Sequence, residues 1–302
     1  MPNIRVVTDS ACDLSEEHAA SVGIEVVPLT IRFGSSEFVD RRDLTPQQFW
    51  KKVADSPVLP QTAAPSPGSF EAAFRRAAAD GCDGVVCVCL SSKLSATFGS
   101  AQLAARALDG VLPVRVIDSL SITMGQGTMA LEAARVAAAG GSIDDVAAAV
   151  TALIGRTSVF GALDTLDNLK KGGRIGAAQA LIGSLLSVKP IVDVSSGAVE
   201  QAGKQRTRAK ALTHLAGIAR DAKARYGSIA HVAVMHGDAP DVDDLLTLLA
   251  DVVPRDEIVV GQIGAVIGTH GGPRVMGLTF DTPTGQTPTG NPAAAPSSAT
   301  GA

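Results

Sequence analysis

Four segments of this 302-residue chain gather hydroxyls as an anion-binding edge would. They are Thr8-Asp9-Ser10, the stretch Pro60–Ala63 with Thr62, the stretch Leu90–Thr97 with Ser91, Ser92 and Ser95, and the pair Asp118-Ser119. Hydroxyls and unpaired N–H groups at helix N-termini attract negative charge, because the donors point outward and the helix dipole adds to them. Taken singly, each hydroxyl could merely cap a helix. Four together at the strand ends of one sheet point to a ligand, since open parallel sheets bind ligands beyond the carboxyl ends of their strands. The second half adds two loops. Leu169–Ile175 carries Gly172, Gly173 and Arg174 between two helical stretches, and Ile267–Pro273 reads as a tight glycine loop holding Thr269 and His270. Arginine offers a fixed planar fork to carboxylate or phosphoryl oxygens. Histidine offers a donor whose charge changes near pH 6.5. The other histidines, His18, His214, His231 and His236, read as structural, although His236 closes a strand and could approach the same cleft.

Nucleotide and metal motifs fail on spacing. Gly125-Gln126-Gly127 with Ala130 fits G-x-G-x-x-A, but a dinucleotide turn needs its first glycine directly after a strand. Here the strand ends near Asp118, and Ser119–Met124 intervene. The stretch from Gly197 to Lys204 is one residue too long for a phosphate loop, and Gln205 stands where Ser or Thr should hold Mg²⁺. Neither a G-x-S-x-G nucleophile elbow nor H-E-x-x-H occurs. Cys87 and Cys89 alternate within Gly84–Leu90 and should face one side of a buried strand, with no ligating partner at a suitable spacing. The cysteines Cys12, Cys82, Cys87 and Cys89 therefore read as buried thiols. No cofactor and no metal is expected.

Composition narrows the class. At 46% hydrophobic and 19% charged, the chain can bury a large core and is not globally disordered. Only 3% of residues are aromatic, which leaves few rings for stacking bases, and the net charge of −4 argues against a phosphate-tracking surface. Nucleic acid is thus not an expected partner. No apolar run reaches the roughly 18 residues of a membrane span. Pro2-Asn3 lead directly into strand-like Ile4–Val7, so the expectation is a soluble, cytoplasmic protein.

These loops need a scaffold. Strand-like runs at 4–8, 25–32, 84–90 and 114–118 alternate with helical runs at 14–22, 45–54, 69–79, 95–108 and 122–139. The alternation predicts a Rossmann-like α/β/α domain with a parallel sheet over residues 1–155. Four prolines make 57–67 a loop. Residues 156–281 read as an α+β domain with a mixed or antiparallel sheet. Its strands fall at 157–162, 188–194, 198–202, 231–236, 256–263 and 275–280, and its helices include 166–171, 177–186, 208–226 and 241–252. Residues 282–302 lack charge and bulky apolar groups and read as a disordered tail.

The ordered motifs T-D-S, P-x-T, L-S-S-x-L-S-x-T, D-S, L-x-x-L-K-K-G-G-R-I, Lys189-Pro190-Ile191 and I-G-x-V-I-G-T-H-G-G-P resemble the DegV family over residues 4–280. This is a family of bacterial fatty-acid-binding proteins, some of them lipid-binding subunits of fatty acid kinase. The chain departs from the pattern at Ala63, Ala64, Ala96, Phe98 and Arg274. The resemblance implies a long-chain fatty acid in an interdomain tunnel, as a ligand rather than a cofactor. Thr62 and Ser95 would bind its carboxylate, with Ser10, Ser92, Ala96, Ser119, Gly172, Gly173 and Thr269 around it. Arg174 and His270 would lie near the carboxylate and the transferred phosphoryl group. The chain would present the acid to a separate ATP-dependent kinase, giving an acyl phosphate, and would not catalyse alone. The physics agrees. A buried carboxylate needs surrounding donors, and a tail of about sixteen carbons gains roughly 10 kcal/mol on burial before ordering costs. Two other readings remain: a lipid sensor or carrier without a kinase, and a hydrolase pairing Ser95 or Ser10 with His270.

Overall fold

The first sheet is parallel and covered on both faces. In the computed structural model, which describes residues 1–181 and 188–283, β1 (Ile4–Asp9) lies between β2 (Ile24–Val27) and β6 (Gly84–Cys89). β7 (Val114–Asp118) follows, giving the order β2-β1-β6-β7. Side-chain alternation sends Val7, Val85, Cys87 and Cys89 towards Phe70, Phe74 and Ala101 of α3 (Pro67–Ala79) and α4 (Thr97–Arg106). It sends Val6, Val86 and Val88 towards Met129, Ala133 and Val146 of α5 (Thr123–Ala138) and α6 (Ile143–Leu153). Cys87 and Cys89 thus share a side, their sulfurs 3.7 Å apart, and all four cysteines are free and buried.

The second sheet is mixed. Its six strands are β8 (Thr157–Ala162), β9 (Lys189–Asp193), β10 (Glu200–Gln205), β11 (Ala230–His236), β12 (Val259–Gln262) and β13 (Met276–Asp281), in the order β10-β9-β8-β13-β11-β12. Only β11 and β12 run parallel; the other neighbours are antiparallel. Phe160, Val234, Leu278 and Phe280 pack with α8 (Arg208–Tyr226) and α9 (Val242–Leu249), while Val159, Val192 and Met235 join the core shared with the first half. The fold is therefore α/β, a parallel part and an α+β part, as the sequence pattern predicts.

α5 lies between the two sheets and packs on β1 and β6 as well as β8, β11 and β13. Gly125 and Gly127 make this possible: a Cβ on Gly125 would stand 2.6 Å from Val159 Cγ2, and one on Gly127 2.8 Å from the Cys12 carbonyl. The G-x-G pair serves close packing.

Three local expectations are corrected. The run at 25–32 is two strands: β2 stops at Val27, and β3 (Thr30–Phe33) joins a separate antiparallel sheet. Pro28 has no N–H for the ladder, so the chain turns there. The proline-rich stretch 57–67 is not all loop. β5 (Gln61–Ala63), whose residues keep their N–H groups, pairs with β3, and β4 (Ser36–Val39) completes the order β4-β3-β5. The glycine loop at 267–273 is mostly helix, α10 (Ala265–Gly271). A Cβ at Gly268 would come within 2.6 Å of the Trp50 ring on α2 (Pro46–Asp55), so this glycine admits a neighbour rather than making a turn. Gly272, with φ +77, ends the helix. The Trp50 Nε1 donates to the Ile263 carbonyl at 2.9 Å, joining the small sheet's helix to the entry of α10.

Thr282, expected to begin the tail, is buried, and its N–H donates to the Arg156 carbonyl at 3.0 Å. The helix expected over 177–186 begins as a 3-10 turn, Gly176–Leu181. Its remainder and most of the expected tail lie outside the described residues. Among the described residues no helix is long and apolar enough to cross a membrane, and no group of three or more His, Cys, Asp or Glu is placed to hold a metal.

Candidate functional site

An apolar cavity lies where the two halves meet, as small-molecule sites commonly do. Leu29, Leu90, Leu94 and Ile122 line it from the first half, and Val159, Leu163, Val192, Val194, Val199 and Val275 from the second. Phe160 borders it from β8, though its ring packs with Phe280 on the α8–α9 side of the sheet. The ionisable or hydroxyl-bearing residues on the wall are Thr62, Ser95, Thr123, Arg174 and His270. Such a cavity, aliphatic with a few clustered donors, suits a flexible alkyl chain ending in an anion.

Two links across the halves gather that polar group. Thr62, on β5, has its Oγ1 3.0 Å from His270 Nε2, on α10. Arg174 follows α7 (Asp167–Lys171); its Nε donates to the Leu94 carbonyl at 3.1 Å and its Nη1 to the Gly172 carbonyl at 2.7 Å. That places the guanidinium against the loop carrying Ser95. The Ser95 Oγ accepts from the Thr97 N–H at 3.3 Å and lies 2.9 Å from Thr97 Oγ1, at the opening turn of α4. Ala96 supplies no side-chain cap there. No carboxylate forms an ion pair with Arg174 among the described residues.

Burial, reinforced by the nearby Arg174 charge, pushes the His270 pKa down to about 4. The imidazole is neutral at pH 7, so one ring nitrogen donates and the other accepts. With the proton on Nε2 it donates to Thr62 Oγ1, which frees the Thr62 hydroxyl hydrogen for a ligand oxygen. Gly172 makes room for the ring: a Cβ there would lie 2.4 Å from His270 Nδ1.

A second opening, a groove lined by exposed residues such as Gln61 and Lys171, lies against the same group. Thr62, Arg174 and His270 line both the cavity and the groove, and Asn168, Lys171, Gly172 and Thr269 line only the groove. The polar cluster is thus the partition between an apolar interior and a polar exterior.

Not every residue singled out by sequence joins it. Ser10 is wholly buried, its Oγ accepting from the Leu29 N–H at 3.0 Å. Ser119 is buried and bonded within its own turn, donating to the Ser121 carbonyl at 3.3 Å. Ser92 is exposed, its N–H donating to Asp118 Oδ1 at 3.0 Å. Gly173 is exposed with φ +71 and serves the turn into Arg174. The Thr269 hydroxyl donates back to the Ala265 carbonyl at 2.8 Å. His236, the last residue of β11, has a ring nitrogen accepting from Ala239 N–H at 3.3 Å and does not line the cavity. Neither Ser10 nor Ser95 hydrogen-bonds His270, whose bond goes to Thr62.

Sequence reasoning missed several contributors. Asn168, buried on α7, donates from Nδ2 to the Thr269 carbonyl at 3.1 Å and fastens α7 to α10. Ser91, singled out by sequence as a ligand donor, instead donates to the Gly197 carbonyl at 2.5 Å and ties the serine loop to the second half. Thr123 lines the cavity with φ +47, a strained value for a β-branched residue. No local pattern marks Asn168 or Thr123, and the partner of Asn168 is 101 positions away.

Fold and site together define an α/β protein whose two sheets close on an aliphatic cavity with a polar mouth. The family model described as "Uncharacterised protein, DegV family" matches residues 3–282, and the chain belongs to that family. A DegV domain-containing protein of Streptomyces coelicolor is 39% identical over 279 residues, covering 91% of this chain and 97% of the relative. A DegV family protein from Thermus thermophilus, whose structure is described as showing fatty acid binding, superposes with TM-score 0.85 at 34% identity, covering 93% of this chain and 99% of that one. A stearic acid-binding protein from Eubacterium ventriosum gives TM-score 0.83 at 27% identity, covering 93% and 98%.

Proposed function

We propose that this protein holds a long-chain fatty acid in the aliphatic cavity, its carboxylate at the partition, and presents that carboxylate through the outer groove to a separate ATP-dependent kinase. The observation that carries this reading is the sharing of Thr62, Arg174 and His270 by the cavity and the groove. An acyl chain gains about 0.8 kcal/mol per methylene buried among the valines and leucines. Its carboxylate would be costly there without donors. Thr62 and Ser95 supply them, and hydrogen bonds to a charged group are the stronger ones. A carboxylate oxygen would attack the γ-phosphorus of ATP on the kinase, ADP leaving and an acyl phosphate forming. Arg174 and Lys171 on the groove side offer positive charge where phosphoryl oxygens would come. The binding relatives support the ligand class, and the four buried free cysteines suit a reducing cytoplasm.

Lipid extraction and mass spectrometry of the purified protein test the first half of this reading, and a co-purified long-chain acid is expected. ATP consumption on adding a cognate kinase tests the second. Arg174→Ala and His270→Ala should keep bound acid within about tenfold while slowing acyl-phosphate formation about a hundredfold. A protein that carries acid yet supports no kinase is a lipid sensor. One that hydrolyses simple esters unaided refutes the carrier.

A further inference from the structure

Two glycines in the floor of the cavity have no packing reason to be glycine. Gly161 on β8 and Gly277 on β13 stand directly opposite each other in the antiparallel register, and both line the cavity. Val192 flanks the pair on one side and Met235 on the other, in the neighbouring strands. Val159 and Val275, each two residues along the chain from a glycine and on the same face, also line the cavity. The missing side chains therefore leave a notch that opens into it.

Glycine inside a strand weakens the strand, and it marks a bulge, a sharp bend, or a place where a ligand or another backbone comes close. The β8–β13 register is unbroken from Met276 to Asp281, so there is no bulge. Neither residue has the positive φ that demands glycine. Among the described residues no backbone presses on the notch from above. A Cβ on Gly277 would find nothing nearer than the Met235 carbonyl at 3.4 Å, an ordinary contact. One on Gly161 would lie 3.3 Å from the Val192 Cγ2, which must yield by only a few tenths of an ångström. Gly125 and Gly268 differ sharply, with atoms at 2.2 Å or 2.6 Å from the position of the missing Cβ. With a bulge, a positive φ and backbone approach set aside, close approach of a ligand accounts for a glycine pair that faces the cavity.

We infer that Gly161 and Gly277 form an acyl-chain notch that sets the length and girth of the alkyl chain the protein accepts. The inference rests on the fatty-acid reading above. A methyl at either position takes the space of about one methylene of ligand. Excluding one methylene weakens binding about fourfold, and excluding two about fifteenfold.

The test uses the full chain as wild type, Gly277→Ala, Gly161→Ala and the double variant. Each is titrated with straight-chain saturated acids from dodecanoic to octadecanoic, and its melting temperature is recorded. The alanines should leave the melting temperature unchanged or raise it, since they remove freedom from the unfolded chain. Affinity for the longest acid should fall about fourfold in each single variant and about fifteenfold in the double, with the shortest acid unaffected. Should the wild type bind none of the acids, the fatty-acid reading fails and the notch fails with it. Should the wild type bind the series while both single variants keep its order and strength, only the notch is wrong. A variant that melts far below wild type shows that the glycine serves packing, which also overturns the inference.

Discussion

Replacing Gly172 by alanine should disable the polar mouth without touching a group that contacts ligand. Gly172 follows α7 at φ −75 and ψ −8, which alanine adopts freely, so the backbone change by itself would favour the folded state by about 0.4–1 kcal/mol. The methyl is the difficulty. It would lie 2.4 Å from His270 Nδ1 and 2.9 Å from Cε1, about 1 Å inside the ordinary contact of 3.4 Å. The ring must swing away, and its bond to Thr62 at 3.0 Å goes with it. Overpacking of this kind costs ~1–3 kcal/mol, and the lost neutral hydrogen bond ~0.5–1.5 kcal/mol. The sum exceeds the backbone gain, so urea unfolding should show a net loss of roughly 0.5–4 kcal/mol. Thr62, no longer oriented by the ring, should hold the carboxylate more weakly, and fatty-acid affinity should drop by up to about tenfold, the worth of the neutral hydrogen bond that is lost. Gly172→Ala combined with His270→Ala should unfold no earlier than His270→Ala alone, because the two substitutions share one clash. If Gly172→Ala matches wild type in both urea midpoint and lipid affinity, His270 does not pack on Gly172, and the orientation argued for Thr62 is wrong.

Three further outcomes are expected. Thr62→Ala and Ser95→Ala should each weaken fatty-acid binding by about 1.5–3 kcal/mol, and together by less than the sum because both serve one anion; equal binding of methyl esters and free acids would remove the anion site from this cluster. His270 is depressed from 6.5 to about 4 by burial and by Arg174, so the native state resists its protonation. Its contribution is complete above pH 6.5 and is lost as pH falls towards 4, a loss of up to about 3 kcal/mol. Burial raises Asp13 to about 7, which works in the opposite direction, so the difference in pH-dependent stability between wild type and His270→Gln isolates the histidine. Trp50→Phe removes the indole N–H from the Ile263 carbonyl and should cost about 1–3 kcal/mol in chemical denaturation, the penalty of a buried acceptor left unpaired; no loss would mean that α2 does not anchor α10.

Local chemistry determined much of this protein. Alternation within Gly84–Leu90 placed Cys87 and Cys89 on one side of a strand buried on both faces, and the strand–helix succession dictated a parallel sheet, because only such repeats bury both faces of β1 and β6. Thr62 and Ser95 were legible as hydroxyls, Arg174 as a cation and His270 as a ring donor, each in a segment between regular elements. What the sequence could not decide was which of them meet. Thr62 and His270 are 208 positions apart, and only the pairing of β5 with β3 and the packing of α10 on Trp50 bring them within 3.0 Å. Ser10 and Ser119 carry the same hydroxyl at similar strand ends, yet their turns consume it internally. Glycine is the clearest case of the division. Gly125, Gly268 and Gly272 look alike in a sequence, but one lets α5 fit between two sheets, one admits a tryptophan ring and one ends a helix. Their roles depend on atoms brought close from distant parts of the chain, so tertiary packing alone assigns them.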